Sequence, residues 1–232
     1  MLPGPVLIYQ CATCIGLFRY RTIASGNNFG ARYWTDGEIK APMLPNKPQL
    51  LGCPYCATPT WLKDLNAVDE YVTWFPPNFT DDPVETIKED VKRKLRKQKR
   101  EKYENLPELR TLKEQEYWDY LNSNKLSVEE EVYLRKLAWR LANDKRRDGE
   151  NIPISIDENL NMRRLLELMS DAESSLLKAE IFRELCEFDE SEIQLSKNEL
   201  NEPKELIAFI KQLSNDKNYL VQEIIKVEIR EN

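Results

Sequence analysis

The chain of 232 residues contains no histidine. That absence removes the side chain that titrates near neutral pH. With it go the usual general base, the Ser-His and Cys-His nucleophile pairs and every zinc site built with imidazole. Glycine is scarce, at 7 residues, and the sequence holds no glycine-rich phosphate loop, nucleophile elbow or metal-carboxylate triad. Carboxylates such as Asp157, Glu158 and Asp171 are scattered without a spacing that singles out an acid and a base. The expectation is therefore a protein that is not an enzyme, and no catalytic or cofactor-binding residue is nominated. No stretch approaches the roughly 18 consecutive apolar residues of a membrane span. The opening MLPGPVLIYQC has no basic n-region, and its apolar run at 6–9 is too short for a signal peptide. These absences lead to the expectation of a soluble, cytoplasmic protein with no membrane partner.

What is present favours helices. Hydrophobic residues make up 41% of the chain, enough for a packed core, and charged residues 32%, above the roughly 25% of an average domain. Charge is unevenly spread. Residues 1–83 carry 6 basic and 7 acidic groups, residues 84–156 carry 18 and 15, and residues 157–232 carry 10 and 18. The acidic last third should repel nucleic acid, so any contact with a polyanion would come from the middle.

Four of the five cysteines form two Cys-x-x-Cys pairs, Cys11-Ala-Thr-Cys14 and Cys53-Pro-Tyr-Cys56. Two intervening residues let a tight turn aim both sulfurs at one ion. Two such turns supply four sulfurs, which suits the tetrahedral preference of zinc and leaves no position open for water. In a reducing compartment such pairs point to metal more than to disulfides. One structural Zn2+ held by Cys11, Cys14, Cys53 and Cys56 is the expectation, with an iron–sulfur centre or redox-active thiols as alternatives. Strands should enter the first pair over residues 6–9 and leave the second at Trp61-Leu62. Over about residues 5–65 the sequence resembles the zinc-ribbon family, whose members hold one zinc between two knuckles on a small antiparallel sheet. The 38 residues between the pairs exceed the usual 15–20. That insert has turn signals at Ser25-Gly26-Asn27-Asn28 and Asp36-Gly37 and reads as turns joining extended segments. Cys186 lies in a helical pattern, where a buried or half-buried thiol is expected.

Residues 66–83, with Trp74-Phe75-Pro76-Pro77-Asn78 and Asp81-Asp82-Pro83, read as a proline-rich linker. A helical pattern begins at Val84. Residues 88–102 hold nine Lys or Arg against three acids, which suits either phosphate contact or a solvated helix. Leu112 to Leu121 is read as the next helix, and Ser127-x-x-Glu130 as the capping box of its antiparallel partner. That partner carries Val132, Leu134, Leu137, Trp139 and Leu141 and ends near Asn143-Asp144. Lys145, Arg146 and Arg147 then suit the negative end of its dipole.

In the last third, Ala179, Phe182, Phe188 and Leu195 recur at intervals resembling one tetratricopeptide helical hairpin, at about 174–197. Cys186 stands where that family has glycine, and Ser191 where it has alanine. A further helix should span Leu206 to Leu213, and the first half of 220–229 is read as helix. The expected fold class is α+β, a small antiparallel zinc ribbon (1–65), the linker (66–83) and a mainly helical domain (84–232) with a tetratricopeptide-like hairpin. The layout resembles uncharacterised bacterial zinc-ribbon proteins, a resemblance that implies no activity. The expected function is a zinc-binding, non-catalytic adaptor or scaffold for protein–protein interaction. The alternative is nucleic-acid binding through the basic run and the ribbon's Arg19, Arg21, Arg32, Lys40 and Lys47.

Overall fold

A computed structural model describes residues 1–74, 82–170, 175–197 and 203–224. Phe75, Pro76, Pro77, Asn78, Asp81, Asp171 and the segment 225–232 lie outside the described residues. The protein is α+β, with small antiparallel strands in its N-terminal part and eight α-helices among the described residues. No described helix is long and apolar enough to cross a membrane. The chain divides into two compact units. One comprises Met1–Gly30 and Ala41–Leu112, and the other comprises Ala31–Lys40 with the chain from Lys113 onward.

The first unit is built on a three-stranded antiparallel sheet of β1 (Leu2–Gln10), β2 (Leu17–Ser25) and β7 (Ala67–Tyr71), in the order β2-β1-β7. Apolar alternation in β1 puts Val6 and Ile8 on one face, and both are buried against Tyr71 and Tyr103. The strand β7 therefore lies within the stretch read from sequence as linker. A second ribbon pairs β5 (Leu50–Gly52) with β6 (Pro59–Trp61). Helix α1 (Pro83–Tyr103) starts at Asp82, whose side chain accepts from the Val84 amide at 2.9 Å, with Pro83 fitting the first turn. After it, an extended strap pairs with both ribbons. The Arg19 amide donates to Pro107 O (2.9 Å), and Gly52 and Arg110 exchange backbone bonds of 2.8 and 3.1 Å.

The second unit contains α2 (Glu114–Ser123), α3 (Val128–Ala142), α4 (Asp144–Arg147), α5 (Ile156–Leu168), α6 (Ser175–Glu184), α7 (Phe188–Ser196) and α8 (Lys204–Asn215). The capping box at Ser127 and Glu130 forms as expected. The Glu130 amide donates to Ser127 Oγ (3.2 Å), and the Ser127 amide to Glu130 Oε2 (3.0 Å). Trp139, Met162, Leu165, Met169, Ile181 and Leu185 make one core, and Ala179, Leu195, Ile207 and Ile210 make another. The hairpin of β3 (Arg32–Tyr33) and β4 (Ile39–Lys40), turned at Asp36-Gly37, belongs to this unit. Gly37 has φ +74°, the left-handed conformation that glycine adopts without steric penalty.

Two local expectations are corrected. Cys186 is exposed, because it takes φ +62° at the α6–α7 turn and leaves the helical face. The first half of the closing segment is extended: the Thr35 amide donates to Gln222 O (3.0 Å) and the Ile224 amide to Tyr33 O (2.8 Å). An open hairpin edge thus supplies the backbone partners that a further helical turn would otherwise have provided. At the end of α3, Arg146 and Arg147 are buried. They still satisfy terminal carbonyls, Arg146 that of Ala142 (3.2 Å) and Arg147 that of Arg140 (2.7 Å). Arg146 also clasps Glu158 with two bonds of 2.9 and 3.0 Å, a bidentate charge-assisted pair.

Candidate metal centre

The two Cys-x-x-Cys turns have the same backbone. In the first, Ile15 N–H donates to Cys11 O and Cys11 N–H to Gly16 O, both at 3.0 Å. In the second, Ala57 N–H donates to Cys53 O and Cys53 N–H to Thr58 O, again at 3.0 Å. Each turn ends on a left-handed residue, Ile15 at φ +61° and Ala57 at φ +62°. Neither is glycine, and a β-branched residue in this region is an outlier. Strain of this kind persists where surrounding structure over-determines it.

Strand β1 leads into the first turn and β2 leaves it, while β5 and β6 flank the second. The strap at 107–110 pairs with β2 and β5 and so joins the strands beside both turns. A second tie comes from Tyr55, whose ring lies over Gly16 while its hydroxyl donates to Leu17 O at 2.8 Å. A Cβ on Gly16 would sit 2.5 Å from the Tyr55 ring. Cys11 and Cys53 are buried beside Tyr9 and Phe18, whereas Cys14 and Cys56 are exposed.

The four sulfurs lie within 4.8 Å of one another. Cys11 Sγ to Cys56 Sγ and Cys14 Sγ to Cys53 Sγ are both 3.7 Å. A tetrahedron with metal–sulfur bonds of about 2.3 Å has edges of about 3.8 Å. The cluster is therefore compatible with a single metal ion. It is not a pair of disulfides, since bonded sulfurs would stand about 2.05 Å apart.

Its electrostatics favour a cation. Hydrogen bonds from the Thr58 hydroxyl and amide draw the Cys56 thiol down to about 6. Burial would raise Cys11, but the amides of Cys14 and Thr13 outweigh it and hold that thiol below its ordinary value. At Cys14 the Gly16 amide pulls downward, yet burial and the three neighbouring sulfurs prevail and push it up to about 12. The first thiolates form readily and the last is opposed by those already present. A bound cation removes that opposition, and binding must then release protons.

Of the five cations singled out for polyanion contact, Arg19, Arg21 and Lys47 lie in the first unit and Arg32 and Lys40 in the second, each engaged within its own unit. Arg19 and Arg21 pair with Glu108 at 3.2 and 2.7 Å, Arg32 with Glu223 at 2.6 Å and Lys40 with Asp144 at 2.7 Å. Lys47 donates to Arg21 O and stands 4.9 Å from the Tyr20 ring. Of the scattered carboxylates, Glu158 is committed to Arg146 and Asp157 lies in the first turn of α5.

Sequence reading missed a buried charged network in the second unit. Asp36, at the tip of the β3–β4 hairpin, pairs with Arg147 and accepts from Asn143 Nδ2 at 3.2 Å. Asn143 also donates to Glu184, which accepts from Trp139 Nε1 at 2.8 Å. Nearby, Glu180 and Arg183 form a fully buried bidentate pair with bonds of 2.5 and 2.9 Å. Three buried carboxylates thus stand near the Arg147 and Arg183 guanidinium groups, and Arg146 donates to Asn143 Oδ1 at 3.2 Å. Burial, then the Glu180 and Asp36 charges, raises the Glu184 carboxyl well above its usual range, against the Trp139 hydrogen bond. The only sequence signal was Asp36-Gly37, which marks a turn and says nothing of what the turn touches.

No protein-family model, curated protein or solved structure matches this chain.

Proposed function

We propose that the four cysteines hold one structural zinc ion and that the chain is a non-catalytic adaptor mediating protein–protein contact. The observation that carries this reading is the set of four sulfurs with two edges of 3.7 Å. Four protein thiolates complete a tetrahedron, so an ion there has no position for water or substrate and serves to fix the two knuckles. An all-sulfur site also suits zinc better than the hard, oxygen-seeking cations. A zinc ribbon in the first unit and a tetratricopeptide-like hairpin, α6–α7, in the second are the finer architecture of the proposal. In support of the latter, Ala179 and Leu195 are buried together, Ser191 is buried against Ser214, and Cys186 adopts the conformation glycine favours at that turn. Helical hairpins of this kind present faces to other proteins.

Crosslinking of the full chain in its own cells, with captured proteins quantified per chain, tests the adaptor reading. A partner recovered near one to one is expected. Monomeric chain with no partner would overturn it. The second reading, nucleic-acid binding, draws on the nine basic residues at 88–102, all on α1. Binding of DNA or RNA by the metal-loaded chain at low salt, falling steeply as salt rises, would replace the first reading with the second.

A further inference from the structure

Helix α1 carries an aliphatic seam that its own unit leaves uncovered. Val84, Ile87, Val91 and Leu95 are 58%, 66%, 52% and 60% exposed. From Val84 to Gln98 every side chain is exposed except the half-buried Glu89. The helix is held at its C-terminal end, where buried Tyr103 donates to Asp69 at 2.9 Å and Lys99 pairs with Asp69 at 2.5 Å. The remainder is supported by pairs one turn apart, including Lys88–Glu85 (3.2 Å) and Lys92–Glu89 (2.5 Å). Such pairs contribute only a few tenths of a kcal/mol each.

At 100° per residue the four aliphatic positions span about 80° of the helix circumference. Lysines rim that seam. Lys88, which also reaches Glu85, flanks one side and Lys94 the other, and Lys102 continues the line of the seam. Lys99 and Glu101 lie further out, Lys99 engaged by Asp69. Glu85, Glu89 and Asp90 fall on the other half of the helix, as do Arg93, Arg96 and Arg100. Like the adaptor reading on which it rests, the seam calls for a protein, and its chemistry narrows which kind.

We propose that α1 docks an acidic amphipathic helix of a partner protein along Val84, Ile87, Val91 and Leu95, with the partner's Asp or Glu side chains meeting the lysine rim. The width decides against a membrane. A seam of about 80° is that of a two-helix contact, narrower than the face of 100° or more that packs a broad surface. It also carries β-branched Val and Ile, which favour paired helices, and none of the Trp or Phe that anchor interfacial helices. Nucleic acid would use the lysines and leave the aliphatic seam unexplained. A second copy of α1 would set lysine against lysine, which disfavours pairing. An acidic helix satisfies both the seam and its rim.

The test uses the full, metal-loaded chain and a fluorescent helical peptide as long as α1 (21 residues). The peptide has Leu and Ile at its a and d positions and Glu at e and g, and a control has Lys at e and g. Anisotropy should show binding of the Glu peptide and none of the Lys peptide. Val91→Gln with Leu95→Gln should weaken binding about tenfold or more, at unchanged far-UV circular dichroism. Arg93→Gln with Arg96→Gln, on the opposite face, should change it by no more than about twofold at physiological salt. Equal binding by the Val91→Gln, Leu95→Gln chain would overturn the proposal. So would failure to bind the Glu peptide, or seam-dependent binding of phosphatidylserine vesicles or duplex RNA in its place. Failure here leaves the adaptor reading to the crosslinking result, which does not depend on α1.

Discussion

The left-handed residues that close the two knuckles allow a sharp prediction, and Ala57 is the cleaner of the pair. Its methyl group is exposed, so replacing it by glycine removes almost no buried surface. An L-residue at φ +62° costs about 1–2 kcal/mol relative to a right-handed conformation. Glycine avoids that cost but gives back about 0.5–1 kcal/mol in backbone entropy. The metal-bound knuckle of Ala57→Gly is therefore stabilised by about 0.5–1 kcal/mol, which corresponds to roughly two- to fivefold tighter metal binding. Ala57→Val places a β-branched side chain in the same conformation and moves affinity the other way by tenfold or so, about 1.4 kcal/mol. Competition with a chromophoric zinc chelator across the three chains reads both shifts. Weaker binding by Ala57→Gly, or a valine variant equal to wild type, would refute the claim that the knuckle holds strain at this position.

Two further outcomes follow from the packing. Gly16→Ala forces the Tyr55 ring away and should cost about 1–3 kcal/mol in urea unfolding of the metal-loaded chain. Adding Tyr55→Ala should recover much of that loss, a coupling that a double-mutant cycle measures directly. In the second unit, the raised Glu184 carboxyl makes the folded state hold a proton that the unfolded chain has released. The contribution of this group is thus complete below the unfolded carboxylate range and is lost as pH rises toward the folded value. Its slope is at most about 1.4 kcal/mol per pH unit for one proton. Glu184→Gln, which keeps the shape and loses the titration, should flatten melting temperature against pH above the carboxylate range, and an unchanged profile would contradict the assignment.

Local chemistry made part of this fold legible. The spacing of Cys11, Cys14, Cys53 and Cys56 led to the four-sulfur cluster because two residues between cysteines is itself the geometry of a turn. Ser127 and Glu130 announced a helix start because both capping bonds lie within four residues. The strap at 107–110 gave no such sign. Its hydrogen bonds go to residues far back in the sequence, Arg19 and Gly52, and its own side chains show no period. Residues 220–224 failed for the same reason: Gln222 and Ile224 have helical composition, yet the partners that hold them are Thr35 and Tyr33. Asp36, Asn143 and Glu184 looked like ordinary surface polar residues, and only tertiary placement makes them a buried network.

The central claim is that one zinc ion ties the two knuckles together. Its most direct test is the metal content of the purified full chain, with zinc and iron quantified per polypeptide beside the same measurement on Cys53→Ser. The account predicts one zinc per wild-type chain, no iron, and loss of the zinc with loosening of the first unit in the variant. Wild-type protein that is fully folded, binds no metal when zinc is supplied and keeps all four knuckle thiols free would contradict it. The paired cysteines would then be read as redox groups.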